Sequence, residues 1–210
     1  HEILNKFALT DSRIRVFRKQ NTGASDTLNF ALTHTTGTWG ARIDQDDEWV
    51  PTKLSKQVEF LSVNKEVILL GTGFVEINEV GKFGKQFSYP SDHLGLVNRL
   101  KKLQGYFPHS SVMYRLDVVK NLGGYNTRLD KADDWWLWCQ MSLKGKTASL
   151  QSPLIYVRKH SMQRSHELGG ELQMLHATLG SACLFIKQNA NIDPSVDFGD
   201  LEWAEFVDWV

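Results

Sequence analysis

Two acidic clusters and one basic run carry most of the chemistry that these side chains could perform. The first cluster is Asp44-Gln45-Asp46-Asp47-Glu48, placed directly after the strand-like run Trp39 to Ile43. In open α/β sheets, ligands bind beyond the carboxyl ends of strands. Two carboxylates one residue apart can face one way where the backbone turns. Such an oxygen pair suits a hard divalent cation, Mn²⁺ or Mg²⁺, that is shared with substrate phosphates. A solvated acidic loop, with Asp47 or Glu48 favourable at the next helix N-terminus, accounts for the same residues. The second cluster, Asp133-Asp134, opens the run Trp135-Trp136-Leu137-Trp138. Carboxylates gain from a helix N-terminus, so the pair reads either as working acids or as a helix start backed by core aromatics. Arg158-Lys159-His160 could offset phosphate charge, or form a solvated basic loop. His109, in Pro108 to Arg115, reads equally as a ligand contact or as a structural histidine.

The order of these segments resembles the family-2 glycosyltransferases of GT-A fold. Asn21-Thr22-Gly23-Ala24-Ser25 precedes a helix carrying Asn29. Gly37-Thr38-Trp39-Gly40-Ala41-Arg42-Ile43 then leads into Asp44-Gln45-Asp46-Asp47, followed by Pro51, Leu54 and Gln57. Gly123-Gly124-Tyr125 and Asp133 to Trp138 resemble the family's later turn and its acid-aromatic helix, with Asp133 standing where Glu is commoner. The resemblance covers residues 1 to 165. It implies an inverting, metal-dependent hexosyltransferase that moves a sugar from a nucleotide diphosphate, a UDP-sugar, to an acceptor hydroxyl. It also implies roles. Asp134 would be the catalytic base, with Asp133 beside it. Asp46 would be the main metal ligand, with Asp44 near the nucleoside and sharing the metal. Asn21, Gly23, Arg158 and His160 would meet the donor, and His160 could join the metal. His109, Trp135 and Trp136 would meet a saccharide or lipid-linked saccharide acceptor, the tryptophans as an apolar wall under a sugar ring. Asp47 either assists or caps the next helix.

These residues need a scaffold, and the chain alternates strand and helix signals as an α/β layer fold does. Helices are expected at residues 3–8, 24–35, after Pro51, 93–103, 132–143 and 167–188. Strands are expected at 13–17, 39–43, 67–77, 111–115, 147–150 and 154–158. The expected architecture is a GT-A-type, Rossmann-like mixed sheet flanked by helices over residues 1–165, with a C-terminal helical extension over 166–210. The family's first strand-helix-strand unit, which holds the nucleotide base, has no counterpart here. The domain therefore reads as N-terminally truncated, and the isolated chain is expected to bind nucleotide poorly. Met141, Met174 and Leu175 read as core.

Composition narrows the partners. Lys plus Arg is 24 and Asp plus Glu is 24, so no net field favours nucleic acid or a membrane surface. The two cysteines, Cys139 and Cys183, have neither zinc spacing nor a disulfide framework, and are expected to be buried. No apolar run approaches the roughly 18 residues of a spanning helix. The resemblance implies bacterial surface-polysaccharide assembly at the cytoplasmic face of the membrane. The aromatic tail, Phe198 to Trp209, would pack on the domain, make a homodimer contact or belong to a further domain. A carbohydrate-binding or scaffolding module that kept this fold without turnover is the alternative. A nucleotidyltransferase would want a Gly-rich phosphate loop with a lysine, and the sequence has none.

Overall fold

Two long strands, β3 (Val67–Asn78) and β6 (Lys146–Lys159), pair in parallel and form the centre of a six-stranded mixed sheet. Residues 67 to 74 are all buried. A near-continuous apolar run is what a strand covered on both faces requires. β5 (Met113–Arg115) lies antiparallel to β3, and β1 (Trp39–Ala41) lies antiparallel to β5. On the other side, β2 (Glu48–Trp49) pairs with β6. The resulting order is β1-β5-β3-β6-β2, with β4 (Phe83–Phe87) pairing the far half of β3. The computed structural model describes residues 2–161, 163 and 170–210.

The helices are α1 (Glu2–Thr10), α2 (Ala24–Thr33), α3 (Lys53–Val63), α4 (His93–Lys101) and α5 (Leu116–Asn121). They continue with α6 (Asp133–Ser142), α7 (Glu171–Ala190), α8 (Pro194–Asp197) and α9 (Asp200–Trp209). α6 and α7 pack together on the sheet. The principal core runs through Phe107, Trp138, Ile155, Leu179, Leu184 and Phe206, so the C-terminal helices share it. Buried Asp193 ties α8 to α6: it accepts from Gln140 Nε2 at 2.6 Å and from Ser195 Oγ at 2.6 Å, and Trp136 Nε1 donates to Ser195 Oγ at 2.8 Å. The expected boundary between 165 and 166, and the first residues of the helix expected from 167, lie outside the described residues.

Several expectations need correction. Residues 13–17 alternate like a strand but form no ladder: Phe17 packs on Phe30 and His34 at the end of α2, and Arg15 donates to His34 O. The two short strands expected at 147–150 and 154–158 are one strand, β6, whose register shifts opposite Thr72 and Gly73. Pro153 cannot donate to a ladder and sits at that irregularity. β4 and α5 were not anticipated. All five β4 residues are exposed, and with Gly84, Lys85 and Gln86 between them only Phe83 and Phe87 mark an apolar side. Met141 is buried, but Met174 and Leu175 are exposed: α7 turns them away from the core. Cys139 and Cys183 are both free and buried, as expected. In the tail Phe206 is buried and Trp209 is 78% exposed.

Candidate functional site

The acidic loop follows β1 and is fixed from two directions. Asp47 N–H donates to Asp44 O at 3.3 Å, which closes the turn. On one side lies the 3₁₀ turn His109–Ser111. The Ser110 hydroxyl donates to Asp44 Oδ2 at 2.9 Å and accepts the Asp44 N–H at 2.9 Å. Arg42 holds Asp44 Oδ1 in an ion pair. On the other side, the end of β6 grips the loop through Arg158. Its backbone N–H donates to Asp47 Oδ1 at 3.1 Å and its Nε to Asp46 O at 3.1 Å. Its Nη1 donates to the carbonyls of Asn78 at 3.1 Å and Glu79 at 3.3 Å, and its Nη2 pairs with Glu48. Two residues on, His160 Nε2 meets Asp46 Oδ2 at 2.9 Å. Burial pushes the Asp47 carboxyl up, and the charges of Asp44 and Asp46 add to this. Ser110 and the Arg158 N–H pull the other way.

Beneath the loop lies a buried polar brace. Trp49 Nε1 donates to Ser110 O at 2.8 Å. Lys53 is wholly buried, with Nζ 4.1 Å from the Trp49 ring centre and donating to Gln57 Oε1 at 3.0 Å. Gln57 Nε2 reaches Ser111 O at 2.9 Å and Leu70 O at 3.2 Å. Of the Pro51-Leu54-Gln57 pattern only Gln57 belongs to this brace; Pro51 and Leu54 are exposed.

Asp133 and Asp134 are the first two residues of α6. Asp133 is buried, and Asp134 Oδ1 accepts the Trp135 N–H at 2.8 Å. The turn before α6 is pinned by Asn29 of α2, whose Nδ2 donates to Tyr125 O at 2.8 Å and whose Oδ1 accepts Tyr125 N–H at 2.7 Å. Gly124 has φ +84°, and a Cβ there would stand 2.2 Å from Asn29 Oδ1. Only glycine fits both demands. The pinned Tyr125 hydroxyl lies 2.8 Å from His109 Nε2. Burial holds the Tyr125 hydroxyl well above its ordinary pKa, so it stays a neutral partner for the imidazole.

These pieces meet in one cleft of about 820 Å³, where Asp44, Asp46, His109, Asp133, Asp134 and His160 all stand on the wall. Lys159, Lys131 and Arg42 stand there too. Asn21 and Gly23 line an adjoining hollow that shares Ala24, Leu28, Arg42, Gln45 and Lys131 with the cleft. Three of the expected contact residues are not on this wall. The Arg158 guanidinium is spent on the loop and is not on the cleft wall. Trp136 is buried in the core, facing Ser195. Trp135 lines a second, smaller pocket that also contains Asp134. Arg42, Ser110 and Lys53 escaped the sequence reading.

Among the described residues no group of three or more His, Cys, Asp or Glu is arranged to hold a metal ion. The donor chemistry still fits Mn²⁺ or Mg²⁺: a carboxylate and an imidazole converge at Asp46 and His160, with Asp44 on the same wall. A cation of this kind completes its shell with phosphate oxygens and water.

Residues 1–123 match the model of glycosyl transferase family 2, more than half of the chain, and the chain belongs to that family. It is 30% identical over 135 residues to the O-antigen biosynthesis glycosyltransferase WbnJ of Escherichia coli, covering 64% of this chain and 52% of WbnJ. Over 145 residues it is 30% identical to the amylovoran biosynthesis glycosyltransferase AmsE of Erwinia amylovora, covering 68% and 53%. The chain thus spans about half the length of the curated relatives it matches. Its fold is similar to that of S. aureus TarS in complex with UDP-GlcNAc, with TM-score 0.68 at 16% identity over 98% of this chain and 58% of that one. It is also similar to the mannosyltransferase PcManGT of Pyrobaculum calidifontis in complex with GDP-Man and Mn²⁺, with TM-score 0.55 at 17% identity over 93% and 53%. The fold is therefore that of the GT-A glycosyltransferases. No described helix is long and apolar enough to cross a membrane.

Proposed function

We propose that this chain carries the diphosphate and base portions of an inverting glycosyltransferase site. It transfers a sugar from a nucleotide diphosphate, a UDP-sugar by preference, to a saccharide hydroxyl during assembly of a surface polysaccharide or glycoconjugate. The work is done at the cytoplasmic face of the membrane. The observation that supports this most is the shared cleft, where the Asp44-Asp46-His160 group and the Asp133-Asp134 pair stand on one wall. Asp134 accepts the proton of the acceptor hydroxyl as that oxygen attacks the anomeric carbon. The bond from that carbon to the diphosphate oxygen breaks, and the nucleoside diphosphate leaves. A single displacement on the face opposite the leaving group inverts the carbon. Asp46 and His160, with Asp44, would hold Mn²⁺ or Mg²⁺, which when bound offsets charge on the leaving diphosphate. Asp133 supports Asp134 from inside the same helix turn, and His109, fixed by Tyr125, borders the acceptor side.

Asp134→Asn in the intact protein is the direct test. It keeps the shape and removes the base, so turnover should fall by about 10²- to 10⁴-fold. Calorimetric binding of the UDP-sugar with Mn²⁺ should persist. Wild-type turnover in this variant removes Asp134 from the role.

A further inference from the structure

Asp134 and Gln173 stand on the wall of the main cleft and also on that of a second pocket of about 310 Å³. The two hollows meet at these side chains, so anything in the smaller pocket lies beside the proposed base. Apart from Asp134 and Gln173, its lining is largely apolar: Trp135, Phe107, Ala132, Met174 and Ala177. The Trp135 ring is fixed before any ligand arrives. Its Nε1 donates to Ser181 Oγ at 2.9 Å, and Ser181 Oγ donates to Leu100 O at 2.9 Å. That chain joins α6, α7 and α4, and leaves the half-buried indole on the pocket wall. Met174, by contrast, is exposed and on a flexible stem, and a thioether adapts to irregular apolar groups.

From this arrangement we infer that the pocket is the acceptor subsite, that it takes one pyranose unit bearing a methyl group, and that Gln173 and Met174 of α7 select it. The methyl belongs to an acetamido or 6-deoxy substituent. The inference rests on the glycosyl-transfer reading and adds the acceptor's class to it. A sugar ring has one face of C–H groups and an edge of hydroxyls. The C–H face lies on Trp135, as amphipathic rings pack on aromatic side chains. The Gln173 amide offers donors and an acceptor to a ring hydroxyl. Met174 and Ala177 take the methyl, and Asp134 receives the attacking hydroxyl's proton at the junction. A pocket of this size sits at the low end for small-ligand sites, which suits a single sugar better than an extended chain. Gln173 and Met174 also lie beyond residues 1–123, the stretch matched to the family. Acceptor choice would then be set by a helix outside that stretch.

The test uses the intact protein carrying ¹³C-methyl methionine, with methyl glycosides of an acetamido sugar, a 6-deoxy sugar and glucose. The chain has four methionines, and Met174→Leu assigns the signal. The Met174 methyl signal should shift with the first two sugars at lower concentration than with glucose. With the same sugars as acceptors, Gln173→Ala and Met174→Lys should each raise acceptor KM by about tenfold or more, while donor KM holds. Met174→Leu should keep the wild-type preference. An unmoved Met174 signal with all three sugars, or unchanged acceptor KM in both variants, overturns the assignment. A shifted signal without any sugar transfer by the wild type would keep the pocket as a saccharide site and remove the glycosyl-transfer reading instead.

Discussion

Lys53 should destabilise the protein near neutral pH, and replacing it should reverse sign across the alkaline range. The side chain is wholly buried, and burial drops its pKa from the ordinary 10.5 to about 7. At about 1.4 kcal/mol per tenfold change in proton affinity, that drop corresponds to about 5 kcal/mol against the folded state. The unfolded chain holds the Lys53 proton below pH 10.5, whereas the folded chain holds it only below about 7. Between those values the unfolded state binds more protons, so stability rises with pH across the window. Below it the full penalty applies. Lys53→Met fills a similar volume without the charge, and gives back part of that gain. Gln57 Oε1 loses its donor, costing about 1–3 kcal/mol. Loss of the ammonium over Trp49 costs about 1–2 kcal/mol while it is charged. The variant should therefore be more stable by roughly 2 kcal/mol at pH 6.5. At pH 10 almost all of the penalty has gone, and the Gln57 loss should leave the variant less stable by roughly 1 kcal/mol. Urea unfolding of both proteins at pH 6.5, 8 and 10, with equal m values, measures this. A difference of one sign and one size at all three pH values refutes the reasoning.

Asn29→Ala unpairs the N–H and C=O of Tyr125, each worth about 1–3 kcal/mol when buried; thermal unfolding should show a loss of roughly 2–6 kcal/mol, and an unchanged Tm would mean that the turn does not depend on this bracket. Arg158→Lys keeps the charge but loses the planar fork that reaches Asp46 O, Asn78 O and Glu48. It should cost about 1–3 kcal/mol and raise donor KM through a loosened acidic loop; unaltered stability by urea titration would count against the clamp. His160→Ala should weaken Mn²⁺-dependent donor binding by about tenfold or more, read by calorimetry, with Asp46→Asn weaker still. Equal affinity in all three proteins would take His160 out of the metal-binding role.

The sequence exposed the residues of the site better than their attachments. Asp44, Asp46 and Asp134 stood out through the order of the segments around them, which resembles the family pattern; taken alone, each acidic cluster reads equally well as a solvated loop or a helix start. The helices α2, α6 and most of α7 were legible from their apolar spacing. What holds the acids was not legible, because the partners are remote in sequence. Ser110 is 66 positions from Asp44, and Arg158 is 112 from Asp46. Lys53 was hidden for another reason: a lysine on an amphipathic helix ordinarily points to water, and only the Trp49 ring and Gln57 show that this one points inward. Trp135, Trp136 and Trp138 are adjacent in sequence, yet only tertiary packing tells which of them reaches the pocket containing Asp134.

The placement of Arg158 bears on how the cleft tolerates a diphosphate. Its guanidinium serves the acidic loop and Glu48, so it adds little positive charge to the cleft. The wall carries five carboxylates, Asp44, Asp46, Asp47, Asp133 and Asp134. Against them stand Arg42, already paired with Asp44, and Lys131, Lys159 and the two histidines. A nucleoside diphosphate entering so acidic a wall meets net repulsion unless a cation enters with it. If the cleft takes a nucleotide-diphosphate donor as proposed, Mn²⁺ or Mg²⁺ should enter with it, rather than arginine alone holding the phosphates. Screening by salt is weaker in a partly buried cleft than on the surface. Raising ionic strength should therefore not replace the divalent ion. Donor binding measured with chelator present should stay weak at every salt concentration, and recovery of binding in high salt without Mn²⁺ or Mg²⁺ would show that simple screening is enough.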